Sequence, residues 1–169
     1  MKELFRRICG GVLAIISVLC LITFSSCGEK EKPQNKEDET LSKLTAFHQT
    51  VLESKECLDD IGNDVYQCWY NAIFKGEYDG NTSLAVADGL YSNPENFITL
   101  DKNEQIIKTL YQEMRDTDFT AEVKAVVYAY YDYYDCIVNV SGSFNNFSTV
   151  KNTLQKKLER CLKNLFLEI

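Results

Sequence analysis

The sequence predicts an all-α protein: an up-and-down bundle of about four helices that follows a signal peptide and a flexible tether. Apolar residues from Leu44 to Ala72 recur at alternating spacings of three and four, which is typical of an amphipathic helix and not of a strand. Three later stretches show the same period, and segments rich in glycine, serine, asparagine or aspartate separate them. Short turns between such helices favour antiparallel neighbours.

Residues 1–26 have the layout of an export signal. Residues 1–7 carry three basic side chains, those of Lys2, Arg6 and Arg7. Residues 8–24 are uncharged and rich in valine, leucine and isoleucine, and two serines and a cysteine follow them. A positive segment, an apolar run and small residues are the three parts of a secretory signal peptide.

Residues 24–27 resemble the lipobox of bacterial lipoproteins, in which small residues precede a cysteine that is lipidated and becomes the mature N-terminus. Ser25, Ser26 and Cys27 match this pattern, whereas Phe24 stands where leucine is usual. The resemblance implies a lipid anchor at Cys27 that holds the protein on the cell membrane or outer membrane, facing outside the cytoplasm. The alternative is an uncleaved transmembrane helix, since residues 8–28 are uncharged and long enough to span a bilayer.

Residues 27–40 follow as the lipidated cysteine and a polar tether, because residues 28–40 have no apolar side chain except that of Pro33. Without residues 1–26 the chain keeps 15 basic and 24 acidic side chains, a net charge of −9. This charge repels polyanions, so we expect no nucleic-acid partner.

Residues 41–169 form the predicted helical domain. Within it we expect a helix at each of five stretches: 41–74, a short one at 84–91 capped by Ser83, 101–115, 119–140 and 144–167. Residues 119–140 carry a main apolar stripe and a second stripe of small residues. A helix that is apolar on two faces is usually central, so we expect this one to be the most buried.

Tyrosines concentrate in the stretch 119–140, which holds five of the ten in the chain. Most of them fit the core stripe, where aromatic rings fill space. Tyr128 and Tyr131 are the least explained by the core. They are therefore the candidate surface for a sugar or aromatic ligand.

No residue pattern predicts catalysis. Asp132 and Asp135 share a helix face, but that face lies opposite the core stripe and suits solvated carboxylates better than a metal or acid–base site. His48 is the only histidine, and the familiar catalytic and phosphate-binding motifs are missing. We expect no enzymatic activity, no cofactor and no metal site.

The functional hypothesis is a membrane-anchored lipoprotein whose helical domain binds a protein partner or supports an envelope assembly. The first alternative is a small-ligand binder that uses the tyrosine-rich helix. A second alternative is an enzyme with an unrecognised site between helices. An exposed apolar patch favours the partner-binding hypothesis, and a pocket lined by tyrosine and acidic side chains favours the ligand binder.

Four cysteines follow Cys27, an even number that fits two disulfides in an exported chain: Cys57, Cys68, Cys136 and Cys161. Cys57 and Cys68 lie 11 residues apart on one helix, about 16 Å, which is too far for a bridge. If the first and third long helices run parallel, the pairs are Cys68–Cys136 and Cys57–Cys161. If they are antiparallel, the pairs become Cys57–Cys136 and Cys68–Cys161. Four buried thiols are the alternative to both.

The predicted anchor can be tested by Cys27→Ala. We expect this variant to lose lipidation and to remain an unprocessed precursor or become mislocalised, as membrane fractionation and electrophoretic migration would reveal. A variant that fractionates and migrates like the wild type would favour the transmembrane span.

Overall fold

The computed structural model describes residues 36–167, and every element in this range is helical. The helices are α1 (Lys36–Phe74), α2 (Thr82–Leu90), α3 (Pro94–Glu113), α4 (Thr120–Val138) and α5 (Phe144–Leu167), with a 3₁₀ turn at Glu77–Gly80. The predicted all-α class is confirmed. The predicted signal peptide, Cys27 and most of the tether lie outside the described residues. Within residues 36–167, no helix has the length and apolarity that a membrane crossing needs.

Contacts along the helices establish the topology. The contacts of α5 with α1 run in opposite directions along the two helices: Lys151–Asn63, Glu159–Lys55 and Phe166–His48. Those of α3 with α1 do the same: Asn103–Glu53 and Glu113–Lys43. Along α4 the order agrees with α1, since Tyr133 meets Asp59 and Ile137 meets Gly62. The long helices therefore run up, down, up and down, with α1 parallel to α4, as the sequence predicts.

Three helices begin earlier than the periodicity predicts. Helix α2 starts at Thr82, and its cap is Asn81 instead of the predicted Ser83, since the Asn81 side chain accepts a hydrogen bond from the Leu84 N–H. Helix α1 starts at Lys36 instead of residue 41, because three acidic side chains in its first turn favour a helix N-terminus, and Glu39 pairs with Lys43 at 2.8 Å. Helix α3 starts at Pro94 instead of residue 101. There the Asn93 side chain accepts a hydrogen bond from the Glu95 N–H, and proline occupies the first helical position.

Helix α1, and not α4, is the central element, because every other helix contacts it. The small-residue stripe predicted on α4 is only partly buried, since Ala121 and Ala125 are exposed while Ala129 is fully buried. Helix α2 crosses α1 closely at Gly89, where a Cβ atom would lie 2.5 Å from the Val65 Cα. A glycine is therefore required at this crossing.

The core of α4 can be tested with two substitutions on adjacent positions. Tyr133 is fully buried, so Tyr133→Ala should lower the free energy of unfolding by about 3–5 kcal/mol. Asp132→Ala should change it by less than about 0.5 kcal/mol, because Asp132 is exposed. Denaturant melts of the two variants would measure both effects, and the reverse order would contradict the orientation of α4.

Candidate binding surfaces

Tyr128 and Tyr131 do not form a common surface. Tyr128 is 57% exposed, and the Lys124 Nζ lies 5.6 Å from its ring centroid. Tyr131 is half-buried against the core, and its hydroxyl lies 3.5 Å from a carboxylate oxygen of Glu104 on α3. Burial raises the pKa of Tyr131. The two rings therefore face different surroundings and do not share a ligand surface.

A polar network crosses the interface of α1, α4 and α5. The Lys55 ammonium lies 2.7 Å from Asp59 and 3.0 Å from Glu159, while the Tyr133 hydroxyl donates to Asp59 at 2.7 Å. Burial disfavours the Lys55 charge, but the two carboxylates outweigh it and raise the pKa of the amine. Burial also raises the pKa of Tyr133. Each group in this network is paired with a group on the same or a neighbouring helix, which supports a structural role.

Lys151 extends this network deeper into the bundle. Its side chain crosses Gly62, where a Cβ atom would lie 2.8 Å from the Lys151 Cε, and its amine donates to Asn63 at 2.6 Å. Burial lowers the pKa of Lys151. The Lys151 amine is hydrogen-bonded to α1, so this lysine supports the packing of α5 against α1.

The other polar candidates are separate from one another. Asp132 forms an ion pair with Lys157 at 2.6 Å, while the neighbouring Asp135 accepts a hydrogen bond from Asn139. His48 packs against Phe166, and burial lowers its pKa. Among residues 36–167, no group of three or more histidine, cysteine or acidic side chains has a geometry suited to a metal ion.

Aromatic rings accumulate where the C-terminal end of α1 meets the start of α5. We call this group the aromatic end cluster: Tyr66, Trp69, Tyr70, Phe74, Phe144 and Phe147. Its inner rings, Trp69 and Phe147, are buried, whereas Phe74 is 60% exposed and lies 4.8 Å from Tyr70 between ring centroids. Ile73 beside it is 43% exposed. The cluster therefore extends from the core to an apolar surface.

Helical periodicity did not predict the aromatic end cluster. Its available signal was the density of rings in residues 66–74, which hold four aromatic side chains. Periodicity assigns such rings to a core face. The contact of the α1 rings with Phe144 shows that the outermost ring, Phe74, stays exposed and is not covered by other described residues.

A second distinct surface lies on the outer side of α5. We call it the basic face: Lys156, Arg160 and Lys163. These exposed side chains are spaced by four and three residues, so they project from one side of the helix. None of the three forms an ion pair with another side chain of the described chain, in contrast to Lys43, which bonds two carboxylates.

Shallow clefts border the basic face. One, of about 410 Å³, is lined by Thr153, Lys156, Lys157, Arg160 and Cys161. A neighbouring cleft of about 220 Å³ lies between α4 and α5, where Ala121 and Ala125 face Cys161. Together the two clefts combine cationic side chains with small apolar residues.

Comparison with known proteins assigns no family to this chain. No protein-family model, no curated protein and no solved structure matches it.

The predicted disulfides are not formed: Cys57, Cys68, Cys136 and Cys161 are all free thiols. The parallel arrangement of α1 and α4 is as expected, but the register separates Cys136 from Cys68. The Tyr133–Asp59 contact places Cys136 level with about residue 62 of α1, roughly 9 Å along the axis from Cys68.

The two thiols of the other predicted pair, Cys57 and Cys161, point in different directions. Cys161 borders Ala121 and Ala125 of α4. Cys57 lies one turn after Glu53, whose carboxylate accepts a hydrogen bond from Asn103 of α3. A bridge requires Cα atoms within about 7 Å and side chains that point toward each other, and these two thiols point to different neighbours.

Thiol mapping tests this correction. Peptide mass mapping of protein alkylated without reductant should find all four thiols modified. Burial raises the pKa of Cys57 and of Cys136, so both should react more slowly at neutral pH than an unhindered thiol. Recovery of linked peptides for Cys68–Cys136 or Cys57–Cys161 would contradict the register described here.

Proposed function

We propose that this protein is a lipid-anchored, non-catalytic domain that binds a protein partner outside the cytoplasm through the aromatic end cluster. The observation that carries the proposal is Phe74, a ring that is 60% exposed yet continuous with buried rings of the core. Exposed apolar surface of this kind is typical of protein–protein interaction sites.

The ring contacts make the cluster suitable for binding. Phe74 contacts Tyr70 and Phe144 at centroid distances of 4.8 and 6.0 Å, so its position is already restricted before a partner arrives. Aromatic anchors that are held in place lose little conformational entropy on binding and are enriched among the residues that dominate interface energetics. Lys75 lies 5.9 Å from the Tyr70 centroid and supplies a polar rim.

The place of the cluster agrees with an anchored protein. The 39 residues of α1 correspond to about 58 Å, and the cluster lies at the end opposite Lys36. The proposed anchor at Cys27 precedes Lys36, so the tether joins the domain far from the cluster. A partner therefore has access to the rings while the lipid holds the domain on the membrane.

The tyrosine-rich helix supports a small-ligand function less well. Tyr128 is exposed and contacts no other aromatic ring within residues 36–167, and Tyr131 packs beside α3. A stacking platform needs both rings on one surface.

The test is cross-linking and affinity capture of the full chain from its own membranes. Phe74→Ser should abolish recovery of a protein that the wild type captures, since losing an interface anchor weakens binding by about 30-fold or more. The matched control is Ile98→Ser, which removes a residue that is 69% exposed on α3. Circular dichroism melts should be similar for the two variants. Equal recovery of the partner with Phe74→Ser and with wild type would contradict the proposal.

A further inference from the structure

We propose that the basic face of α5 docks on the anionic phospholipid headgroups of the membrane that carries the anchor. The inference rests on the proposed anchoring at Cys27, but it uses a different surface from the aromatic end cluster. The basic face thus gives the tethered domain a preferred orientation.

Charge is divided unevenly along the chain. Helix α5, residues 144–167, has five basic and one acidic side chain, whereas residues 37–143 have 7 basic and 20 acidic ones. Among the described residues, Lys43, Lys55, Lys108 and Lys157 each form an ion pair with a carboxylate.

Lys102 and Arg115 also have no ion pair within residues 36–167, but the basic face gathers three such cations on one side of one helix. Lys156 and Arg160 are one helical turn apart, and like charges at this spacing destabilise a helix. Lys163 continues the same side, and no carboxylate of the described residues pairs with any of the three. An anionic surface outside the chain would relieve this repulsion.

The cleft beside the basic face suits a phosphate group. Arg160 offers a planar fork of donors, Lys156 and Lys157 offer ammonium groups, and Thr153 offers a hydroxyl, around a volume of about 410 Å³. The adjoining cleft at Ala121 and Ala125 is also lined by Glu122, so the phosphate group is placed beside Lys156 and Arg160 and not there. Lys157 is already paired with Asp132, so Lys156 and Arg160 are the free cations.

Geometry allows the anchor and the basic face to meet the same membrane. Phe166, near the end of α5, contacts His48, which lies 12 residues after Lys36, or about 18 Å along α1. The nine residues from Cys27 to Lys36 span at most about 30 Å. The tether therefore reaches a bilayer that lies against α5. Tethering raises the local concentration of headgroups, so weak docking suffices.

The acidic side chains outside α5 do not prevent the basic face from docking on the membrane. Charges beyond about 8 Å are largely screened at physiological ionic strength. The side of the bundle away from α5 lies farther than this from a surface that touches the basic face, because a helix alone is about 10 Å wide. An acidic protein is the competing occupant, and lipid is favoured because the tether already places lipid within reach.

The experiment uses the full chain purified from membranes and reconstituted with phosphatidylcholine vesicles, with or without phosphatidylglycerol. Cys161, which lines the cleft, and Cys68, which lies on α1, are alkylated with a water-soluble maleimide. We expect phosphatidylglycerol to slow the reaction of Cys161 relative to Cys68, and added salt to reverse this protection.

The charge variant is Lys156→Gln/Arg160→Gln/Lys163→Gln. Each basic residue near an anionic surface contributes about a fivefold factor, so docking should weaken on the order of 100-fold and protection of Cys161 should disappear. The matched control, Lys102→Gln/Lys108→Gln/Arg115→Gln, removes the same charge from exposed positions outside α5 and should retain protection. Equal loss in both variants would overturn the proposal, since net charge alone would then explain the binding.

Two further outcomes would assign the face to another occupant and overturn the proposal. One is protection of Cys161 by inorganic phosphate without vesicles. The other is lipid-independent capture of an acidic protein by the wild type and not by the charge variant. Flotation on phosphatidylcholine vesicles reports the anchor separately, so a chain that fails to float there still tests the basic face through its binding to phosphatidylglycerol.

Discussion

The hydrogen bond from Tyr133 to Asp59 is the contact on which the arrangement of α1, α4 and α5 depends. The Tyr133 ring is fully buried, so its hydroxyl must find a partner inside the bundle. Asp59 also receives the Lys55 ammonium, which reaches Glu159 on α5. A shift of α4 along α1 by even one residue would leave a buried hydroxyl or charge unpaired, at a cost of about 1–3 kcal/mol or more. The network therefore selects one register among the many that apolar packing alone would tolerate.

Periodicity predicted the long helices well because each buries a continuous apolar stripe. It placed α5 at its observed bounds and α4 within two residues of them. The errors fall at helix starts, where a few side-chain hydrogen bonds decide the boundary. In the sequence, the Asn93–Pro94 pair is compatible with the end of one helix or with the start of another. In the structure, this pair caps the start of α3. At Lys36 the first turn is polar on every side, so no stripe marks it.

The topology was predictable and the register was not. Counting residues from the turn near Gly142 gives relative heights on α4 and α5 only. The height of α1 against them depends on which side chains meet, here Tyr133 with Asp59 and Lys151 with Asn63. This is why the Cys68–Cys136 pairing failed although the helix directions were right. The same limit hid the aromatic end cluster, since Phe144 joins the α1 rings only in this register.

Helix α5 connects the two proposed surfaces and keeps them independent. Its first residue, Phe144, belongs to the aromatic end cluster, and Lys156 begins the basic face 12 residues later, about 18 Å along the axis. This distance exceeds the screening length of about 8 Å, so the basic face does not bias the aromatic site electrostatically. The inner side of α5 is already occupied by the bundle, through Lys151 and Glu159. The proposed docking on a membrane would therefore require no rearrangement of the core, and the rings at the end of α1 would remain open to a partner.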